Sequence, residues 1–144
     1  FNARFAAKHR LYKYYITKEY SPFKKNISWF LKPTIDFKLL EACANTLIGE
    51  HNFSMLSKNN IEVKNKNCII YESVWEDYKN ELIYTIKANR FLHHMVRFIV
   101  GASIETAKSK IQLDDFSDLV NNKSNLHPFC APAKGLFLHE VSYG

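Results

Sequence analysis

Arg97 sits in the most apolar stretch of the chain, Phe91-Leu92-His93-His94-Met95-Val96-Arg97-Phe98-Ile99-Val100. A helix of this composition is buried around much of its circumference. A guanidinium there is costly unless it is hydrogen-bonded and paired with an anion. No carboxylate in the sequence has an obvious claim on it. A carboxylate from outside these residues and a phosphate are therefore both open as partners. The competing possibility is that Arg97 lies on an exposed stripe and snorkels to water. His93, four residues earlier, would share the Arg97 face of a helix.

A second constellation lies near the start of the chain. If Lys8 to Tyr15 is extended, Lys8, Arg10, Tyr12 and Tyr14 share one face, and His9, Leu11, Lys13 and Tyr15 share the other. Such interleaving suits RNA, because cations meet phosphates and tyrosine rings stack on unpaired bases. One face can equally be core, with tyrosines used for packing. The charge distribution points the same way as the strand. Arg4, Lys8, Arg10, Lys13, Lys18, Lys24 and Lys25 stand against Glu19 alone within residues 1–25, which accounts for the whole formal excess of +6. This asymmetry favours a polyanionic partner, nucleic acid first; a strand edge guarded by lysines is the alternative.

Other chemistries find little support. His93 and His94 are adjacent and would diverge around a helix, and the remaining histidines show no ligand spacing, so no metal is expected. Phosphate-cradling loops and the nucleophile elbow of serine hydrolases are missing, and 4 glycines leave little to build them from. Cys43, Cys68 and Cys130 are odd in number and far apart, which signals neither a disulfide framework nor a zinc site. They read as reduced thiols in or near a core, as in a cytoplasmic protein.

These residues must be positioned by one domain, for which 144 residues suffice. The opening Phe1-Asn2-Ala3-Arg4 shows no initiator, leader or helix cap, and the chain is expected to be cut from something longer. His9 to Ile16 reads as a strand and 17–34 as loop. A helix capped by Thr34 or Asp36 runs to Ile48 and stops at Gly49. Residues 50–67 read as loop, and Cys68 to Trp75 and Glu81 to Lys87 as a hairpin. A helix spans Phe91 to about Lys108, a shorter one runs from Asp114-Asp115 to about Asn122, and Leu136 to Tyr143 is a last strand. The order β-α-β-β-α-α-β predicts an α+β fold, a mostly antiparallel sheet with helices packed on one face.

Four stretches together resemble the TruA-type tRNA pseudouridine synthases. They are Phe1-Asn2-Ala3-Arg4-Phe5-Ala6-Ala7 with Tyr12-Lys13-Tyr14; Leu47-Ile48-Gly49-Glu50-His51-Asn52-Phe53-Ser54; Ile86-Lys87-Ala88-Asn89-Arg90-Phe91-Leu92-His93-His94-Met95-Val96-Arg97; and Ala131-Pro132-Ala133-Lys134-Gly135-Leu136-Phe137-Leu138 closing at Val141-Ser142-Tyr143. They follow the family's order and span the chain, and the third is the most distinctive. Leu56 departs from the pattern, which often has an aromatic there.

The resemblance implies a ferredoxin-like or RRM-like half of a pseudouridine synthase fold. It implies isomerisation of uridine to pseudouridine on the 3′ side of the tRNA anticodon stem-loop, without metal or cofactor, by a cytoplasmic homodimer. Tyr12 matches the tyrosine that packs against the target uracil and is available for proton removal. Arg97 matches the arginine that pairs with the catalytic aspartate, and Leu136 an apolar residue of the uridine pocket. Arg4, Lys8, Arg10 and His93 would help hold the tRNA. The family's aspartate lies in a Gly-Arg-Thr-Asp motif that this sequence does not contain. These residues alone are thus expected to be inactive. A non-catalytic RNA-binding module with an RRM-like sheet is the alternative reading, and a structural or dimerisation domain a third.

Overall fold

A computed structural model describes residues 7–32 and 34–143. Arg4 lies outside the described residues. Six strands and three helices follow in chain order: β1 (Ala7–Thr17), β2 (Trp29–Phe30), α1 (Phe37–Thr46), β3 (Gly49–Asn52), β4 (Asn67–Asp77), β5 (Glu81–Ala88), α2 (Met95–Ala107), α3 (Leu113–Val120) and β6 (Leu136–Tyr143). The fold is α+β, as the residue pattern predicts. The main path of the sheet is β2-β1-β5-β4-β3. β1 pairs antiparallel with β5 on one side; on the other it pairs antiparallel with β6 and, at its end, parallel with β2. The short parallel pair makes the sheet mixed.

Register explains which residues become core. Trp75, Tyr84, Tyr14 and Leu136 form one row across β4, β5, β1 and β6. Trp75, Tyr84 and Tyr14 are buried, and Leu136 is half-buried against the core. The next residues along, Val74, Thr85, Lys13 and Phe137, form the row on the opposite face, where Val74 and Phe137 are exposed. A step of one residue reverses the face. Helices α1, α2 and α3 pack on the buried side, bringing Leu40, Cys43, Ile99, Val100, Phe116 and Leu119 into one core with the strands. Burial pushes the Cys43 and Cys68 thiols up to about 11, which keeps them protonated and inert. No helix of the described residues is long and apolar enough to cross a membrane.

Asp36 caps α1 by accepting from the Lys38 amide at 3.0 Å, and Gly49, at φ +103°, turns the chain out of it. Three expectations need correction. Residues 50–67 are not all loop, because Gly49–Asn52 adds β3 to the edge of β4. Likewise, the stretch 17–34 contains β2, whose two residues pair with Ile16 and Thr17. Four residues or fewer give no readable period. The helix expected from Phe91 begins only at Met95, because His94 takes a left-handed conformation (φ 58°) at its start. His93 therefore does not share a helical face with Arg97.

Candidate active-site cleft

β1 emerges from under the helices at Tyr12. Tyr14 and Ile16 on the same face are buried, whereas Tyr12 is half-buried and its ring meets Phe91 edge to face, with centroids 4.9 Å apart. Beside it opens a cleft of about 430 Å³ lined by Tyr12, Phe91, His93, His94, Arg97 and Leu136. That volume suits a small planar group. Tyr12, Arg97, Leu136 and His93, separated by up to 124 residues, are thus brought together. Lys8 and Arg10 are not cleft residues; they lie farther toward the start of β1, Lys8 exposed and Arg10 half-buried.

Arg97 is half-buried and is held from one side only. Its Nε–H donates to the Ala131 carbonyl at 2.7 Å, and the Ala131 amide donates to the Arg97 carbonyl at 3.0 Å. One helical stripe makes this possible. Arg97, Gly101 and Glu105 are spaced by four and face the segment 129–131. The Phe129 amide donates to Glu105 Oε1 at 3.0 Å, and a Cβ on Gly101 would lie 1.7 Å from the Phe129 carbonyl oxygen. Glycine is therefore required for close approach, not for backbone freedom. The remaining guanidinium donors have no partner among the described residues, and no carboxylate of those residues lies within 4.0 Å of Arg97. Its Nε–H is tethered to Ala131 while the rest of the guanidinium lines an open cleft, so the half-buried side chain is anchored on one side and reaches solvent on the other.

The surroundings are electropositive. His93 and His94 stack with ring centroids 3.8 Å apart. Desolvation, then the charges of His93, Arg97 and Lys58, hold the His94 imidazole below its ordinary pKa. Tyr14 is a different case from Tyr12. Its hydroxyl donates to the Pro132 carbonyl at 2.6 Å, and burial, partly opposed by Arg97, raises its pKa so that it stays neutral. Tyr14 fixes the segment that in turn fixes Arg97. Arg90, in the same sequence block as Arg97, is structural: it donates to the Asn65 and Asn67 carbonyls.

The cleft can therefore hold a flat group beside Tyr12 and an anion beside Arg97. Among the described residues no group of His, Cys, Asp or Glu is placed to hold a metal ion. Sequence reasoning passed over Phe91, His94, Gly101 and Ala131. A lone glycine inside an apolar helix was the one available signal for Gly101.

The family described as tRNA pseudouridine synthase matches residues 43–144. The chain is 35% identical over 144 residues to a tRNA pseudouridine synthase A of Chlorobium limicola, covering 99% of the chain and 59% of that protein. It is 36% identical over 149 residues to one of Dictyoglomus thermophilum, again covering 99% and 59%. A Parabacteroides distasonis protein of the same name is 33% identical over 143 residues, covering 99% and 57%. The chain thus spans well under two thirds of the length of these relatives.

Proposed function

This chain belongs to the tRNA pseudouridine synthase family, and from that premise we propose that it forms one wall of an active site that converts uridine to pseudouridine in the anticodon stem-loop of tRNA. The observation that carries the reading is the convergence of Tyr12, Arg97 and Leu136 on one cleft, where Arg97 faces no carboxylate of the described residues.

In this reading the target uridine leaves its stack and enters the cleft. Flipping costs a few kcal/mol, which stacking on Tyr12 and apolar contact with Leu136 offset. Arg97 receives the nucleophilic aspartate, carried by a part of the protein beyond these residues. A guanidinium beside a carboxylate favours its charged form, so the nucleophile stays ionised near neutral pH. The carboxylate attacks the nucleoside, the glycosidic C–N bond breaks, the uracil turns and rejoins the sugar through carbon, and the carboxylate is released; the proton on the newly bonded carbon must then be lost. In this reading Tyr12, which lines the same cleft, serves that proton removal. The tether from Arg97 to Ala131 supports a positioning role, because a fixed guanidinium aims the carboxylate without losing side-chain freedom at each turnover. Lys8 and Arg10, with Arg4 and His93, contribute phosphate contacts, and the working enzyme is a cytoplasmic homodimer.

The test is Arg97→Ala in the full-length protein, assayed for pseudouridine in tRNA. A misplaced nucleophile should lower kcat by at least about a hundredfold while the fold survives. Normal turnover in that variant would refute the assigned role. The isolated chain should form no pseudouridine. A full-length protein that binds tRNA but never forms pseudouridine would instead support a non-catalytic RNA-binding module.

A further inference from the structure

The segment that leaves β1 and runs through β2 exposes several aromatic residues. Tyr20 is 66% and Phe30 37% exposed, and their rings meet edge to face at 5.8 Å. The segment is nonetheless anchored. The Leu31 amide donates to the Thr17 carbonyl at 3.0 Å, and the Ser28 hydroxyl donates to the Tyr15 carbonyl at 3.2 Å. Trp29 is wedged between Tyr14 and Phe129, with ring centroids 6.3 and 5.8 Å away. Between this segment and the loop before β6 lies a groove of about 550 Å³, lined by Tyr20, Lys24, Lys25, Trp29, Phe30 and Lys134 among others.

We propose that this groove is a second nucleic-acid site, which stacks unpaired bases on Tyr20 and Phe30 and neutralises their phosphates with Lys25 and Lys134. The proposal rests on the tRNA-binding part of the preceding reading and not on its chemistry. Three observations favour RNA over a protein partner. First, three lysines line the groove and no carboxylate does. Lys24 reaches Glu81 at 3.6 Å and Lys18 is paired with Asp77, but no carboxylate of the described residues lies within 4.0 Å of Lys25 or Lys134. Glu19 is the nearby acid in the sequence, and its backbone carbonyl accepts from the Thr17 hydroxyl. A second copy that met this groove with its own groove would set like charge against like charge.

Second, exposed aromatic rings fixed by one another present faces without needing to be ordered on binding. Stacking is the interaction such faces offer to any base. Third, the groove adjoins the cleft through a shared wall. Ala131 holds Arg97, and Pro132, which lines the groove, accepts from the Tyr14 hydroxyl. Ile16, paired with Trp29, lies four residues beyond Tyr12 on β1, which is about 13 Å along the strand. A single strand whose flipped base lies against Tyr12 can pass directly over this wall into the groove.

The test is fluorescence anisotropy of the full-length protein with a labelled single-stranded RNA of about 12 nucleotides, within the range of one single-strand site, titrated at several salt concentrations. Tyr20→Leu and Phe30→Leu should each weaken binding roughly five- to hundredfold, while Tyr20→Trp, which keeps a stacking face, should not. Lys25→Ala combined with Lys134→Ala should lower the slope of log K against log salt by about 1.4, for two phosphates on a single strand. Tyr12→Leu separates the cleft's share of binding from the groove's. RNA binding that none of the groove variants alters sinks the groove and leaves the preceding reading standing. Failure of the unaltered full-length protein to bind RNA sinks both. Self-association of the chain that Tyr20→Leu abolishes would make the groove a protein interface and overturn the proposal.

Discussion

Gly101→Ala tests the packing that sets Arg97 in place. The new Cβ would start 1.7 Å from the Phe129 carbonyl oxygen and 3.2 Å from the Ala131 nitrogen. Both neighbours are backbone, so neither can rotate away; the segment 129–131 must move by well over an ångström. Three hydrogen bonds join it to α2, two through Arg97 and one through Glu105. Losing them costs about 1 kcal/mol for the neutral one and about 1.5–3 kcal/mol for each involving a charged group. Alanine returns up to about 1 kcal/mol of helix propensity. The net loss is then roughly 3–6 kcal/mol, a large share of the ~5–15 kcal/mol that stabilises an ordinary domain. Urea unfolding reads the loss. Hydrogen exchange at the Ala131 amide gives the local signature, since its partner is the Arg97 carbonyl and protection should fall there before it falls in β5. A Gly101→Ala chain that gains about 1 kcal/mol, as an exposed helical glycine would, with Ala131 still protected, would refute the close approach and the fixed Arg97 that depends on it.

Three further outcomes are expected. Arg97→Gln should raise the His94 pKa, because it removes one of the positive charges that disfavour the imidazolium; histidine NMR titration reads this, and an unchanged or lower value would place the guanidinium elsewhere. Since folding holds the His94 pKa below its unfolded value, His94 favours the native state at higher pH and opposes it as pH falls through that range. Tyr12→Phe keeps the edge-to-face contact with Phe91 and in the full-length protein should leave tRNA affinity unchanged while slowing turnover; unchanged turnover would confine Tyr12 to stacking. Asp36→Ala removes the cap of α1 and should cost about 1 kcal/mol, or a fall in Tm of roughly 2–4 °C; no change would mean that packing alone holds the first turn.

Much of this architecture is legible in the residues. Alternation in β1, the two strands of the hairpin and the apolar stripe of α2 reflect a local periodicity of two or 3.6, which needs no knowledge of the rest of the chain; the residues narrow the cap of α1 to Thr34 or Asp36, and the structure gives it to Asp36. Arg97 is legible too, because a cation in an apolar run poses an electrostatic problem wherever the run ends up. Two-residue β2 and four-residue β3 are illegible for the opposite reason: they exist because β1 and β4 offer edges, and an edge is a property of the assembled sheet. The face of β1 that becomes core was open in the sequence and is closed by the helices, which bury Tyr14 and leave Tyr12 half-covered.

Charge shows the same division. Counting places the whole excess in residues 1–25, but folding commits Lys18 to Asp77 and Lys24 to Glu81. It also adds Lys134, from the far end of the chain, to the groove beside Lys25. The sequence by itself marked Tyr12, Arg97 and Leu136 as candidates and placed them on β1, α2 and β6, because residue type and local period are written in adjacent positions. Only the tertiary structure decided that Tyr12, Arg97 and Leu136 share one cleft, that Ala131 holds the arginine and that Gly101 lets it. Those are contacts between segments 28 or more residues apart, or close approaches whose tolerance is a fraction of an ångström, and neither leaves a trace in local sequence.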